Sequence, residues 1–201
     1  MADSLTAKTA FFDAWATWYD VLFPSVVYQA IHRRLLDYAE VPPSATALDL
    51  GCGTGKLLDR LATEFPHLQG VGVDVSTEMI AQAQANCRYP DRLTFQPGRS
   101  DRLPLVDASV DAAFSTISMA HYLDLPAVLA ELRRVIRPGG ALYWADIVPG
   151  WERSGQVRLP ITPGGFYLYS AAERERLATA AEFSQASHHY LLGWVMLTVL
   201  S

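Results

Sequence analysis

Only two of the 201 residues are cysteine, too few for a disulfide framework. Cys52 lies between two glycines and Cys87 stands alone, so neither reads as half of a bridge. The five histidines have no metal-ligand spacing, and no metal is expected. His188 and His189 are adjacent in what reads as a strand, so their rings should point to opposite faces. Basic residues are scattered, the formal net charge is -5, and no basic stripe is present of the kind phosphate neutralisation requires. A nucleic-acid partner is therefore disfavoured. Residues 1–15, MADSLTAKTAFFDAW, lack a basic region followed by an apolar run, so no signal peptide is expected. The apolar run Trp194 to Leu200 is far too short to span a bilayer, and a cytoplasmic location is the default expectation. Repeats, low-complexity tracts and linkers are also missing.

Half the residues are hydrophobic and 18% are charged, which suits a single packed domain. Residues 8–40 read as helical, broken near Pro24, with Val41-Pro42-Pro43-Ser44 ending the second helix. A strand–helix alternation follows. Strands are expected at Thr46–Leu50, Gly70–Val75, Leu93–Gln96, Val110–Ser115 and Ala141–Ile147. Helices are expected from about Thr54 to Phe65, from an N-cap at Ser76 to about Asn86, and from Pro126 to Ile136. Arg133, Arg134 and Arg137 suit the end of that last helix, and Pro138-Gly139-Gly140 should stop it. Residues 148–169 have no clear period; Ala171–Ala181 is helical, and Ser184–Tyr190 with Gly193–Leu200 forms a terminal pair of strands. The expected fold is α/β: a Rossmann-like, seven-stranded, mostly parallel sheet with helices on both faces and a C-terminal antiparallel hairpin. Within one domain, residues 1–43 form a helical cover, 44–147 a cofactor-binding core, and 148–201 a loop, helix and hairpin on the acceptor side.

Gly51, Gly53 and Gly55 lie between a buried strand and a helix. Glycine suits such a turn because the dihedrals are unusual and because a ligand can approach backbone that carries no Cβ. The spacing is G-x-G-x-G rather than the G-x-G-x-x-G of a dinucleotide site. Asp49 precedes the loop, which disfavours a pyrophosphate and favours a cation. Asp74 ends the following strand, where a carboxylate can accept both hydroxyls of a ribose. A ribose with a cationic group and no phosphate describes S-adenosylmethionine.

The stretches LDLGCGTGK and GVDVS, followed by SVDAAFST and ELRRVIRPGGAL, are similar to the motifs of the class I S-adenosylmethionine-dependent methyltransferases. The resemblance spans roughly residues 10 to 147 and is nearest to the small-molecule branch that includes the quinone-biosynthesis C-methyltransferases. It implies that Gly51, Cys52 and Gly53, with Asp49 behind them, hold the methionine part of the cofactor. Asp74 would take the ribose hydroxyls, and Val75 would pack on an adenine face. Ser115 and Thr116 would line the sulfonium side. Arg99 stands where the family usually has an aspartate that reads the adenine amine, so Ser100 and Asp101 are assigned that task. Tyr19-Asp20 resembles a pair often placed over the cofactor, although Tyr19 with Trp15 and Trp18 is also simply the apolar face of a helix.

Methyl transfer requires mainly positioning, because the sulfonium already carries the activation. A base is needed only where the acceptor must lose a proton, and His121 is the candidate, with a loop histidine of no chemical role as the plain alternative. Trp151, Phe166, Tyr167 and Tyr169 suggest an apolar or aromatic acceptor. The expected activity is methyl transfer to a small organic molecule by a monomer or homodimer. The alternatives are a non-catalytic binder of S-adenosylmethionine or S-adenosylhomocysteine, or a protein or tRNA methyltransferase.

Overall fold

The computed structural model describes residues 2–19, 24–149 and 155–201, with the side chains of 2–5, 15–19, 24 and 25 outside the description. Helices α1 (Ala2–Tyr19) and α2 (Pro24–Leu36) come first. Pro24 opens α2, where its missing N–H would have had no helical partner. The helix ends before the expected proline stop. The Tyr143 hydroxyl accepts from the Glu40 amide at 2.9 Å and holds the chain out of helical register.

Five strands then alternate with helices: β1 (Thr46–Leu50), α3 (Lys56–Glu64), β2 (Gln69–Asp74), α4 (Thr77–Asn86), β3 (Leu93–Pro97), β4 (Val110–Thr116), α5 (Leu125–Val135) and β5 (Ile136–Ile147). Ser76 caps α4 by accepting from the Met79 amide, as its place in the sequence predicts. After β5 come a short hairpin of β6 (Gln156–Leu159) and β7 (Phe166–Tyr169), then α6 (Ala171–Ala180), β8 (Ala186–Leu192) and β9 (Val195–Leu200). The sheet has seven strands in the order β3-β2-β1-β4-β5-β9-β8, with β9 antiparallel to both neighbours and the rest parallel. Alternate residues feed two cores: Leu48, Val73, Ala113 and Trp144 face α5 and α6, while Ala47, Phe114 and Tyr143 face α2 and α3. The strand order reverses between β1 and β4, so ligands are expected at the carboxyl ends of these strands.

Two expectations are corrected. Pro138-Gly139-Gly140 does not stop a helix; α5 has already ended at Val135, and these residues bulge within β5. A Cβ on Gly140 would lie 2.6 Å from the Asp111 carbonyl, so glycine permits the close strand approach. Arg137 therefore lies in β5 and pairs with Asp111 at 2.6 Å. Residues 148–169 are not a plain loop, since β6 and β7 pair within them. His188 and His189 do face opposite ways: His188 bonds Thr198 and Glu175, while His189 stacks on Tyr38. Among the described residues no cluster is arranged for a metal ion, and no helix is long and apolar enough to cross a membrane.

Candidate active site

The chain leaves β1 through Gly51, Gly53 and Gly55, with φ of +75°, +50° and +80°. Such left-handed backbone favours glycine. At Gly51 a protein neighbour adds a second requirement. A Cβ there would lie 2.6 Å from the Ser118 side chain and 2.9 Å from the Tyr122 hydroxyl. Gly51→Ala is therefore expected to destabilise the fold by about 1–3 kcal/mol. A denaturation midpoint equal to wild type would show that Ser118 and Tyr122 move aside freely.

The loop turns its amides inward. Gly51 and Cys52 donate to the Val73 carbonyl (2.8 and 3.2 Å), Gly55 to the Cys52 carbonyl (2.9 Å), and Gly53 to Asp74 Oδ2 (2.9 Å). Few donors remain for an anion, in contrast to loops whose amides converge on a phosphate.

Acid gathers at the same place. Asp49 is 2% exposed, and its Oδ1 has no hydrogen-bond partner. Burial, with Asp74 adding to it, pushes the Asp49 carboxyl up to about 8. Asp74 is also raised by burial, although the amides of Ser76 and Gly53 oppose the rise. Asp13, reaching over from α1, accepts from the Ser76 hydroxyl and adds a third carboxylate. Acids crowded this way favour a cationic ligand.

A pH dependence follows. Asp49 is raised in the fold from 3.8, so between those limits the folded chain holds a proton that the unfolded chain has released. Stability therefore falls as pH rises through this window. From about pH 5 to 8 the free protein should lose stability more steeply than Asp49→Asn. Parallel urea midpoints for the two proteins across that range would contradict the assignment.

A cavity of about 280 Å³ opens above the strand ends. Gly51, Gly53, Asp74, Val75, Ser100, Asp101 and Thr116 reach it from the loops of the sheet. Lys8 and Phe12 reach it from α1, and His121 and Leu123 from the 3-10 turn Met119–His121 and the segment after it. A smaller cavity of about 40 Å³ lies behind the loop, lined by Asp49, Cys52, His32, Lys56 and Thr116 among others. His32 Nε2 meets Thr116 Oγ1 at 3.1 Å, and burial lowers the ring to about 3, so it is neutral.

The predicted residues thus converge, with exceptions. Ser115 lines neither cavity: successive strand residues face opposite ways, and its fully buried hydroxyl meets Ser118 Oγ at 2.5 Å. Ser118 in turn donates to the Leu50 carbonyl and supports the glycine loop from below. Asp101 is held by Arg99 through two bonds of 2.9 and 2.6 Å, so its carboxylate is already occupied by a guanidinium. The side chain of Tyr19, together with Asp20 and Trp151, lies outside the described residues. His121 packs edge-on between Phe12 and Phe166, with centroids at 5.0 and 4.8 Å. Burial, aided by the Lys8 charge, lowers it to about 4, so a ring read from sequence as a base is neutral and weakly basic. The turn that carries it is fixed by Asp146, which accepts from the Ala120 amide at 3.0 Å.

Lys8, Asp13, His32 and Ser118 escaped the sequence reading. Each acquires its place from a partner remote in the chain or on another element, and no local motif marks them.

Residues 47–140 match the family described as a methyltransferase domain. An O-methyltransferase of Pyrenophora dematioidea is 32% identical over 153 residues, covering 73% of this chain and 57% of that protein. A malonyl-[acyl-carrier protein] O-methyltransferase of Xylella fastidiosa is 32% identical over 121 residues, covering 59% and 41%. The chain thus spans about half the length of these relatives. Among solved structures, the DhpI–SAH complex superposes with a TM-score of 0.78 at 22% identity, covering 100% of this chain and 98% of that one. This likeness establishes the fold.

Proposed function

We infer that this chain, a class I S-adenosylmethionine-dependent methyltransferase by its domain and fold, transfers a methyl group from S-adenosylmethionine to a small organic acceptor. The observation that carries the reading is the loop that turns its amides inward beside a buried Asp49 whose Oδ1 has no hydrogen-bond partner. Those residues suit a ligand with ammonium, sulfonium and ribose groups and do not suit a pyrophosphate. The O-methyltransferase names of the relatives favour oxygen as the acceptor atom.

S-adenosylmethionine supplies an activated methyl group on a sulfonium. In this proposal Asp49, Gly51, Cys52 and Gly53 hold its methionine part. Asp74 takes the ribose hydroxyls with lone pairs not used by Gly53 and Ser76. Val75 packs on the adenine, the backbone at Ser100 reads its amine, and Asp101 contributes only as far as Arg99 releases it. Thr116 lines the sulfonium side, with Ser115 supporting it through Ser118. Tyr19 is assigned to cover the cofactor. His121 bounds the acceptor space and excludes water there. Residues 44–147 hold the donor, and 1–43 and 148–201 shape the acceptor side of the same domain.

The test has two parts. Thermal unfolding should shift upward with S-adenosylmethionine and S-adenosylhomocysteine, and radiolabelled methyl should pass to a metabolite fraction from the source cells. No shift at millimolar ligand would sink the donor assignment. The Arg99–Asp101 pair on the adenine side favours a second reading, a binder without turnover, and a shift with no label transfer would select it.

A further inference from the structure

Lys8 is 4% exposed, lies in the wall of the larger cavity, and has no carboxylate partner among the described residues. Its ammonium donates to the carbonyls of His121 and Gly165, which leaves a further N–H. Another cation, Arg158 of β6, which also has no ion pair among the described residues, adds to the effect of burial in lowering the Lys8 pKa. An ammonium removed from water without a counter-ion is unfavourable unless a ligand brings the missing charge. The cavity is thus divided by sign. Asp74 lines it at the glycine loop, with Asp49 and Asp13 close behind, whereas Lys8 lines it beside His121, with Arg158 of the hairpin behind Lys8.

Among the described residues, the wall beside Lys8 also lacks a strong base. His121 is held neutral near 4, and burial pushes the Tyr122 hydroxyl well above its usual value. Lys8, lowered by burial to about 8, is predominantly protonated at neutral pH. Asp124, a further carboxylate on this cavity, is exposed and caps α5 through the Ala127 amide. Among the described residues beside Lys8, an alcohol would find only weak bases to take its proton. An acceptor that arrives ionised needs none.

We propose that the acceptor is a small carboxylate with an apolar body, its charge bound by Lys8 and its body packed on Phe12 and His121. This rests on the donor reading above. The carboxylate oxygen forms the new O–CH₃ bond as the S–CH₃ bond breaks and its electron pair returns to sulfur. Oxyanion and sulfonium both lose their charge, and no proton moves. The ester that results has lost its attraction for Lys8, which favours release.

The test uses the full chain and a library of small aromatic and aliphatic carboxylic acids beside their primary amides. Uptake of S-adenosylhomocysteine is measured first by calorimetry. Its absence counts against the donor reading alone, and the comparison of acids with amides is then made on the free protein. Ligand-observed NMR should find that acids outbind their amides by about tenfold or more. Lys8→Met should remove that preference, Lys8→Arg should retain part of it, and both should bind S-adenosylhomocysteine within about threefold of wild type. Acids that bind no better than amides, including a library with no binders, would overturn the proposal. So would an undiminished preference in Lys8→Met, which would leave Lys8 as a staple between α1, the 3-10 turn and the hairpin. The wild-type comparison stands even where a variant fails to fold.

Discussion

Asp74→Ala is expected to weaken S-adenosylmethionine binding by about a hundredfold, roughly 2.7 kcal/mol, while changing stability far less. The two effects separate because Asp74 has opposing roles. Its carboxylate accepts from the amides of Gly53 and Ser76, both at 2.9 Å, and so ties the glycine loop to the start of α4. It is also a buried charge beside Asp49 and Asp13, which burial and repulsion disfavour. Alanine loses two hydrogen bonds but relieves that crowding, so the net change in folding is small. Binding has no such compensation, because the ribose hydroxyls lose their charged acceptor and the loop loses its anchor. Asp74→Asn keeps one acceptor oxygen and should fall between alanine and wild type. Calorimetry on the three proteins checks the series, and near-wild-type affinity in Asp74→Ala would mean that the ribose lies elsewhere.

The glycine loop and its two acids were legible in the sequence because their meaning is local. The interior of β2 carries no polar side chain, Ser76 directly precedes its helix, and Asp49 and Asp74 lie at the ends of consecutive strands, Asp49 one residue before the last of β1. Features that depend on partners far along the chain were not. Nothing near Lys8 announces that the carbonyls of His121 and Gly165 will converge on its ammonium. The glycines at 139 and 140 read as a helix stop because the carbonyl that requires Gly140 belongs to Asp111 on the neighbouring strand. Strands β6 and β7 have four residues each, too few for alternation to rise above composition. Ser115 and Thr116 are adjacent on β4, so only one of them can face the ligand, a distinction that their shared motif does not carry. His121 lines the larger cavity, but its basicity is set by burial against Phe12 and Phe166 and by Lys8, and two of these three lie in α1.

The largest stability loss is expected at Arg174, which has no part in binding the donor. Its guanidinium is fully buried and lies over the Trp144 ring at 4.3 Å. It donates to the carbonyls of Tyr169, Trp144, Met196 and Asp146 and to the Thr198 hydroxyl, joining α6 to β5, β7 and β9. It also offsets part of the burial that raises Asp146 to about 6. Arg174→Ala should destabilise by about 3–5 kcal/mol, since a cavity opens and buried acceptors lose their donor. Arg174→Met refills most of the volume, so whatever loss it retains measures the polar contacts. A urea-derived loss below about 1 kcal/mol in the alanine variant would show that neighbouring groups or water satisfy those acceptors. The effect should extend to the acceptor side. Asp146 Oδ2 holds the Ala120 amide, and with the cation gone that carboxyl is protonated more readily and becomes a weaker acceptor for it. The turn carrying His121 then loses its anchor, while Asp74 and the glycine loop are untouched. Binding of acceptor acids should therefore weaken in Arg174→Met, with S-adenosylhomocysteine affinity preserved.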